Sequence, residues 1–192
     1  MKDFENYLHH VGEFQDKPPT IKIVLGDIIK IKADAIVNAA NSSLLGGGGV
    51  DGAIHGAAGN KLLEECKKLR QEKYPNGLPT GEAVVTKAYN LPAKIIIHTV
   101  GPRFYVETPR KHGAESLRSC YINSLEVAEK ENCESIAFPA ISTGAYGFPI
   151  ESSAEIVKNA LASFKSRDIK EIILVLYNKE DYEVYKKILN KK

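Results

Sequence analysis

The sequence predicts an α/β fold in which helices cover both faces of a sheet of about six strands. Short apolar segments alternate with amphipathic segments along the chain, as in α/β proteins. Several of the short segments are apolar at successive positions, which is typical of strands covered on both sides. With 192 residues, 43% of them hydrophobic and 26% charged, the chain is long enough for one substantial core, and a second domain is not required.

Six segments are predicted to be strands, because β-branched and apolar residues are concentrated in them between polar breaks. In chain order they are Ile21–Leu25, Ala35–Val37, Ala83–Thr86, Ile95–Val100, Ser135–Phe138 and Ile172–Leu176.

Apolar residues at near-helical intervals predict the helices. Ser152 and Glu155 have the spacing of a capping box, which predicts the start of the third helix, and Asn178 is predicted to cap the last one. Segment 71–81 contains two prolines and two glycines and is predicted to be a loop. The apolar sets are Ala58, Leu62, Cys66 and Leu69; Leu117, Tyr121, Leu125 and Ala128; Ile156, Ala160, Leu161 and Phe164; and Tyr182, Tyr185, Ile188 and Leu189.

Charge and hydropathy exclude several classes of function. The net charge of +2 is too small to favour a dedicated binder of long polyanions. No apolar run approaches the ~20 residues that span a bilayer, so no membrane association is expected. Met1 to Lys17 is charged and has no apolar core, which argues against a secretory signal and favours a cytoplasmic protein. Residues 1–19 are predicted to form an N-terminal extension, either an accessory helix or a loose arm.

The cysteines and histidines do not indicate a metal. Cys66, Cys120 and Cys133 are odd in number and widely spaced, so neither a disulfide framework nor a zinc knuckle is expected. Cys66 and Cys120 fall at helical core positions and are interpreted as buried apolar residues. The five histidines have no metal-ligand spacing on one helix. No metal and no cofactor are predicted.

The most informative stretch contains Asn38, Asn41, four glycines at positions 46–49 and Asp51. Successive glycines are costly because each loses more backbone entropy on folding than any other residue. Such a run is useful where a ligand approaches the main chain, and exposed amides at a helix N-terminus suit a phosphate or pyrophosphate. The alternative interpretation is a flexible surface loop, which the patterned polar residues on both sides disfavour.

A second glycine-containing turn spans residues 139–149, after a predicted strand and before a predicted helix. Two strand-to-helix loops of this kind can flank one ligand at the carboxyl ends of a sheet. Neither loop has the lysine of a Walker A motif or the G-x-G-x-x-G spacing of a dinucleotide-binding fold. A nucleoside triphosphatase and a nicotinamide dehydrogenase are therefore poorly supported.

Two further residues have alternative interpretations. The carboxylate of Asp27, after the first strand, can accept a hydrogen bond from an exocyclic amine of a base and would repel the oxygen of guanine. Aspartate after glycine is also an ordinary turn or N-cap residue. Tyr177, at the end of the last strand, is placed to cover a base or to be a half-buried core tyrosine.

Taken together, these motifs resemble those of a macro domain, and more narrowly the MacroD-type group of O-acetyl-ADP-ribose deacetylases and mono-ADP-ribosyl hydrolases. The resemblance covers roughly residues 20 to 190 without a break. It implies a macro domain over residues 20–192, with a three-layer α/β/α sandwich and a central mixed, largely parallel sheet of about six strands. The motifs that carry it are Gly26-Asp27-Ile28, Asn38 to Asn41, Gly46 to His55, His98 to Pro102 and Ile141 to Pro149.

The resemblance also implies roles for individual residues. Asp27 and the Ile28 amide would bind adenine, and Tyr177 would lie against its ring. Asn41 would hold a hydroxyl of the distal ribose, and Asp51 would face a water beside the anomeric carbon; these two are the implied catalytic residues. The diphosphate would lie between the two loops. The remaining implied ligand-binding residues are Asn38, Gly48, Gly49, Val50, Ser142, Thr143, Gly144, Ala145 and Tyr146, of which Tyr146 would also flank the distal ribose.

Three functions follow as hypotheses. The first is a hydrolase that acts on O-acetyl-ADP-ribose or on ADP-ribose esterified to acidic side chains of proteins. The second is a reader that binds ADP-ribose without turnover; Asn41 and Asp51 favour the enzyme, because a reader needs neither a positioned water nor a base. The third is a nucleic-acid binder, which the near-neutral charge disfavours. The expected partners are ADP-ribose, its esters and ADP-ribosylated proteins. Gly56, where many members carry arginine, is a departure expected to alter a surface contact beside the pocket.

Overall fold

The computed structural model of the chain describes residues 18–104 and 110–191. The predicted N-terminal extension therefore lies almost entirely outside the described residues. The strands of the described part are β1 (Thr20–Leu25), β2 (Ala35–Ala40), β3 (Ala83–Lys87), β4 (Ile95–Val100), β5 (Ser135–Pro139) and β6 (Glu171–Leu176). All six predicted strands are thus confirmed, and β2 continues through Asn38 to Ala40, beyond its predicted end.

The strands form one mixed sheet in the order β1-β6-β5-β2-β4-β3. Every neighbouring pair is parallel except β3 and β4, which run antiparallel at one edge. Because five strands run the same way, the segments that follow them emerge at one edge of the sheet, where ligands bind in open α/β sheets. The pairing of β2 with β4 places Asn38 opposite His98.

Helices cover both faces of this sheet and complete the predicted three-layer α/β/α sandwich. They are α1 (Gly49–Ala58), α2 (Asn60–Glu72), α3 (Arg110–Lys130), α4 (Ile150–Ser163) and α5 (Lys179–Leu189). One core cluster joins α1 and α2 to one face, and the other joins α3, α4 and α5 to the opposite face. No helix within the described ranges is long and apolar enough to cross a membrane.

Two local predictions about helices are wrong. Ala58 was expected to share a helix with Leu62, but Gly59 adopts a φ of 87° between them, so Ala58 ends α1 and Leu62 belongs to α2. The predicted capping box at Ser152 does not form, because α4 already begins at Ile150 after Pro149. The Pro149 carbonyl accepts the amide of Ser153 at 2.9 Å, which leaves no end for Ser152 to cap.

The last helix begins as predicted. Asn178 is its N-cap, and its side-chain oxygen accepts the amide of Asp181 at 2.8 Å. This bond satisfies one of the amides that a helix N-terminus leaves unpaired. Cys66 and Cys120 are fully buried, which confirms their interpretation as core residues.

Candidate functional site

Two loops at the carboxyl edge of the sheet enclose a continuous cleft. We call residues 41–48, between β2 and α1, the first loop, and residues 140–149, between β5 and α4, the second loop. The cleft has two parts, the Asp51 pocket (270 Å³) and the Asp27 pocket (490 Å³), which share Gly49, Val50, Ala140 and Gly144. Volumes in this range are typical of small-molecule sites. The two glycine loops predicted to flank one ligand therefore do face each other.

Asp51 lies in the first turn of α1, where the helix dipole favours a negative charge, and it lines the Asp51 pocket. The residue is only 4% exposed. Burial raises the pKa of its carboxyl above the usual value, and a hydrogen bond from Asn38 and the nearby His55 partly offset that effect. The result is a carboxylate that is a stronger base than an exposed aspartate.

Asn38 fixes this carboxylate by a hydrogen bond from the sheet. It is fully buried in β2, and its Nδ2 donates to Oδ1 of Asp51 at 2.8 Å. The same amide nitrogen lies 3.0 Å from Nδ1 of His98 on the neighbouring strand. An amide nitrogen only donates, so His98 accepts at Nδ1 and carries its proton on Nε2. The structure thus places Asn38 beneath the pocket, bonded to protein groups.

The Nε2 proton of His98 is directed at Oγ1 of Thr86, 2.9 Å away on β3. Burial lowers the pKa of His98 to about 3, so the ring stays neutral near pH 7. Thr86, His98, Asn38 and Asp51 therefore form one hydrogen-bonded chain across three strands and into α1. We call this set the buried relay.

Asn41 lies beside the second oxygen of Asp51. Its Nδ2 donates to the Gly46 carbonyl at 2.9 Å and approaches Oδ2 of Asp51 at 3.4 Å. Its own oxygen accepts the amide and the hydroxyl of Ser43, which fixes the orientation of the side chain. A Cβ at Gly47 would come within 3.1 Å of Oδ2 of Asp51. The absence of a side chain at position 47 therefore keeps the space before Oδ2 open.

The backbone amides of both loops are available to an anion. In the described part of the chain, the amides of residues 48–50 and 143–146 donate no hydrogen bond to the protein. Gly48 to Val50 form the N-terminus of α1, and Ser142 begins the facing turn with a φ of 67°. The hydroxyl of Ser142 is buried at the pocket wall and has no hydrogen-bond partner among the residues that the structure describes. Opposed amides of this kind suit a phosphate or diphosphate.

At the other end of the cleft, Asp27, Ile28 and Tyr177 line the Asp27 pocket. Asp27 is the N-cap of a 3-10 turn, and its Oδ1 accepts the Ile29 amide at 3.2 Å. The cap interpretation is therefore confirmed, while Oδ2 makes no hydrogen bond to the described residues. Tyr177 is 82% exposed, which rules out a core tyrosine and leaves a ring on the pocket wall. Asp181 lines the same pocket and was not predicted.

One side-chain group in the described residues has the composition of a metal site. Ligand atoms of His55, Cys66 and His98 lie within 4.8 Å of one another. They come from α1, α2 and β4, so spacing along a single helix does not reveal them. Both ring nitrogens of His98 are already bonded, and burial raises the pKa of the Cys66 thiol to about 12. These properties favour a neutral, packed cluster over a metal centre.

The structure brings every predicted site residue to the cleft or, for Asn38, directly beneath it. Sequence reasoning assigned no role to Thr86, His98 or Ser43. His98 is a single histidine in an apolar strand, which is a usable signal; Thr86 and Ser43 have none. Gly56 is exposed on α1, and nothing lies within 4 Å of the position its Cβ would take.

Comparison with known proteins agrees with this architecture. Residues 37–157 match the macro domain family. The chain is 48% identical over 172 residues to an O-acetyl-ADP-ribose deacetylase of Escherichia fergusonii, covering 88% of this chain and 94% of that protein. It superimposes on an Oceanobacillus iheyensis macrodomain solved with ADP, with a TM-score of 0.86, 45% identity and coverage of 90% and 91%. A Trypanosoma brucei macrodomain in complex with ADP-ribose gives 0.79 at 38% identity, with coverage of 88% and 69%. The chain belongs to the macro domain family.

Proposed function

We propose that the protein binds ADP-ribose along the cleft and hydrolyses acyl or protein-linked groups from its distal ribose. The observation that carries this proposal is the position of Asp51, a buried carboxylate held at one end of a cleft whose other end is lined by Asp27 and Tyr177. The named relatives support the same ligand, because one is a deacetylase of an ADP-ribose ester and another was solved with ADP-ribose.

In this proposal, the Asp27 pocket takes the adenosine. Oδ2 of Asp27, which makes no hydrogen bond within the described ranges, accepts the exocyclic amine of adenine. The Ile28 amide lies nearby, and the Tyr177 ring covers the base. A charge-assisted hydrogen bond contributes roughly 1.5–3 kcal/mol, and stacking about 1–3 kcal/mol. These contacts supply affinity and base selectivity.

The diphosphate lies between the two loops. From one side it is met by the amides of Gly48, Gly49 and Val50 at the positive end of α1. From the other side it is met by the second loop, through the amides of Ser142, Thr143, Gly144, Ala145 and Tyr146. Within the described ranges, the amides of residues 48–50 and 143–146 have no protein partner to give up, so the site is organised before the ligand arrives.

The distal ribose enters the Asp51 pocket. Asn41 and Tyr146 line that pocket and position the sugar, which contributes through orientation. Oδ1 of Asp51 is taken by Asn38, so Oδ2 is the oxygen that accepts a proton from the attacking water. A general base of this kind typically contributes about 10²–10⁴-fold to the rate. Asn38 acts on the reaction through Asp51.

The alternative function is a reader that binds ADP-ribose without turnover. The two are separated by incubating the wild-type protein with O-acetyl-ADP-ribose and, in parallel, with protein carrying ADP-ribose on aspartate or glutamate. Calorimetry with ADP-ribose is run on the same preparation. Binding without release of product from either substrate would establish the reader.

Asp51→Asn is the matched variant, because asparagine keeps the shape and still accepts the bond from Asn38. We expect kcat to fall about 10²–10⁴-fold while the Kd for ADP-ribose stays within a few-fold. Asp181→Asn, a carboxylate replaced at the other end of the cleft, should leave kcat intact. Full activity of Asp51→Asn would refute the role of Asp51 as base.

A further inference from the structure

Arg103 lies at the rim of the Asp51 pocket. Its guanidinium carbon is 5.0 Å from the centroid of the Tyr146 ring, and Tyr146 lines that pocket. Arg103 is itself exposed and is not part of the lining. A guanidinium over an aromatic face is attracted by the ring, so this contact restrains the charged group next to the reacting end of the cleft.

The backbone next to Arg103 is fixed to the same loop. The Phe104 amide donates to the carbonyl of Tyr146 at 2.9 Å, and the Phe104 ring packs edge-on against buried Phe148 at 5.2 Å. The segment after β4 is therefore clamped to the second loop at the position of Tyr146. Because both the backbone and the guanidinium are restrained, Arg103 loses little conformational entropy when it binds a partner.

Apart from the Tyr146 ring, the guanidinium of Arg103 has no ionic partner within the described part of the protein. No carboxylate in the described ranges pairs with it, whereas the carboxylate of Asp51 is buried and bonded to Asn38. The guanidinium presents five N–H donors in a planar fork that matches a carboxylate. A small acyl group on the ribose would end inside the pocket. A polypeptide attached to the ribose must leave the pocket and pass its rim.

We propose that Arg103 binds an acidic side chain of the polypeptide that carries the ADP-ribosyl group. This inference rests on the proposed function and refines its substrate class: ester-linked ADP-ribosyl segments with neighbouring aspartate or glutamate are preferred over the same segments with neutral neighbours. The diphosphate is the other anion proposed to lie near the cleft. If Arg103 contacted the diphosphate instead, substitution of Arg103 would weaken the binding of ADP-ribose itself, which is measured separately.

The test compares two peptides that carry mono-ADP-ribose on the same glutamate, one flanked by aspartate and glutamate and the other by asparagine and glutamine. O-acetyl-ADP-ribose is the third substrate. Each is assayed with the wild type and with Arg103→Gln and Arg103→Glu. Lys165→Glu is the matched control, because Lys165 is exposed, unpaired in the described residues and beyond the far end of α4.

For the wild type we expect a kcat/KM about 3- to 10-fold higher for the acidic peptide than for the neutral one, mainly through KM. Arg103→Gln should abolish this preference and Arg103→Glu should reverse it, while both leave O-acetyl-ADP-ribose turnover and the Kd for ADP-ribose unchanged. Lys165→Glu should retain the wild-type preference. Equal use of both peptides by the wild type would overturn the proposal, as would an equal loss of ADP-ribose affinity in the Arg103 variants.

The same comparison is made by binding. In an Asp51→Asn background, fluorescence anisotropy with the two labelled peptides reads the preference without turnover. If the wild type hydrolyses nothing but the Asp51→Asn protein still binds the acidic peptide more tightly in this assay, the proposed hydrolysis fails and the role of Arg103 stands. If both peptides are hydrolysed and bound equally, hydrolysis stands and the role of Arg103 fails.

Discussion

Nδ2 of Asn38 donates to Oδ1 of Asp51 at 2.8 Å, while its second proton faces Nδ1 of His98 at 3.0 Å. The oxygen of Asn38 is buried and has no hydrogen-bond partner in the described residues. If the side-chain amide of Asn38 were flipped by a half-turn, its oxygen would face the carboxylate of Asp51, which is strongly unfavourable in a dry interior. The orientation of the proposed base is thus set by Asn38 and by His98 on the neighbouring strand.

Thr86→Val tests the buried relay. Valine keeps the shape of threonine but removes the oxygen that receives the Nε2 proton of His98. A buried donor without an acceptor costs about 1–3 kcal/mol, so the ring is expected to shift and loosen Asn38 and Asp51. We expect kcat to fall roughly 3- to 10-fold, with an unchanged Kd for ADP-ribose. Steady-state kinetics and calorimetry check this.

Thr86→Ser retains the hydroxyl and should restore kcat. Thr99→Val is the second control, since Thr99 is also buried but bonds the Glu82 carbonyl on the other face of the sheet. It should lower the midpoint of thermal unfolding without changing kcat. A Thr86→Val protein that matches wild-type kcat would show that the relay does not position the base.

The fall of kcat at acidic pH should reflect the protonation of Asp51. Its pKa is raised above 3.8, so kcat should decline at a pH above that of an ordinary aspartate as the carboxylate is protonated. His98, with a pKa of about 3, stays neutral through that fall and contributes nothing to it. The midpoint of kcat against pH is the measurement, and a midpoint at or below 3.8 would contradict the effect of burial.

The raised pKa of Asp51 should also make the free energy of unfolding depend on pH. Its proton is bound more tightly in the folded than in the unfolded protein, so its contribution lowers the free energy of unfolding as pH rises from 3.8 through the raised pKa. Asp51→Asn lacks this contribution. Urea titrations give the free energy of unfolding at about pH 4 and about pH 7. The value for the variant minus that for the wild type should be more positive at the higher pH. An equal difference at both values would count against the raised pKa.

Gly47→Ala should obstruct the reaction without unfolding the protein. The added methyl group would lie 3.0 Å from Nδ2 of Asn41 and 3.1 Å from Oδ2 of Asp51, in the space assigned to the attacking water. We expect at least a tenfold loss of kcat, measured beside Gly56→Ala, whose methyl group meets nothing within 4 Å. Comparable activity of the two variants would place the water elsewhere.

Asp27→Asn should change which base is bound. Asparagine is as good an N-cap as aspartate, so the bond to the Ile29 amide survives. The charged acceptor for the adenine amine is lost, and we expect about 10- to 150-fold weaker ADP-ribose binding with weaker discrimination against the guanine analogue. Calorimetry with ADP-ribose and with its guanine analogue measures the two Kd values. If Asp181→Asn shows the larger effect, Asp181 is the residue that reads the base.

The strands could be predicted because their apolar residues are continuous and bounded by polar breaks. The helix boundaries were harder to predict, because Gly59 and Pro149 set them through backbone conformation. The apolar pattern from Ala58 to Leu69 runs across Gly59 without a break. A Ser-x-x-Glu spacing at Ser152 is compatible with a cap, but Pro149 and the turn before it start the helix earlier.

The cleft residues could be predicted from the two glycine loops, since parallel strands deliver such loops to one edge of the sheet. The buried relay could not. Thr86 and His98 meet Asn38 through the order β2-β4-β3, in which an antiparallel edge strand pairs with a parallel neighbour. No local pattern encodes that order, so the partners of Asn38 appear only with the fold.

Gly101, at the end of β4, packs directly under the second loop: a Cβ there would lie 2.0 Å from Oγ of Ser142 and 2.7 Å from Cγ2 of Ile141. Even the methyl group of alanine at 101 would therefore force the first residues of the second loop to move. The position of the loop that follows β5 thus depends on the absence of a side chain at the end of β4, a different strand. A substitution at 101, outside both loops, would displace the amides that are proposed to bind the diphosphate.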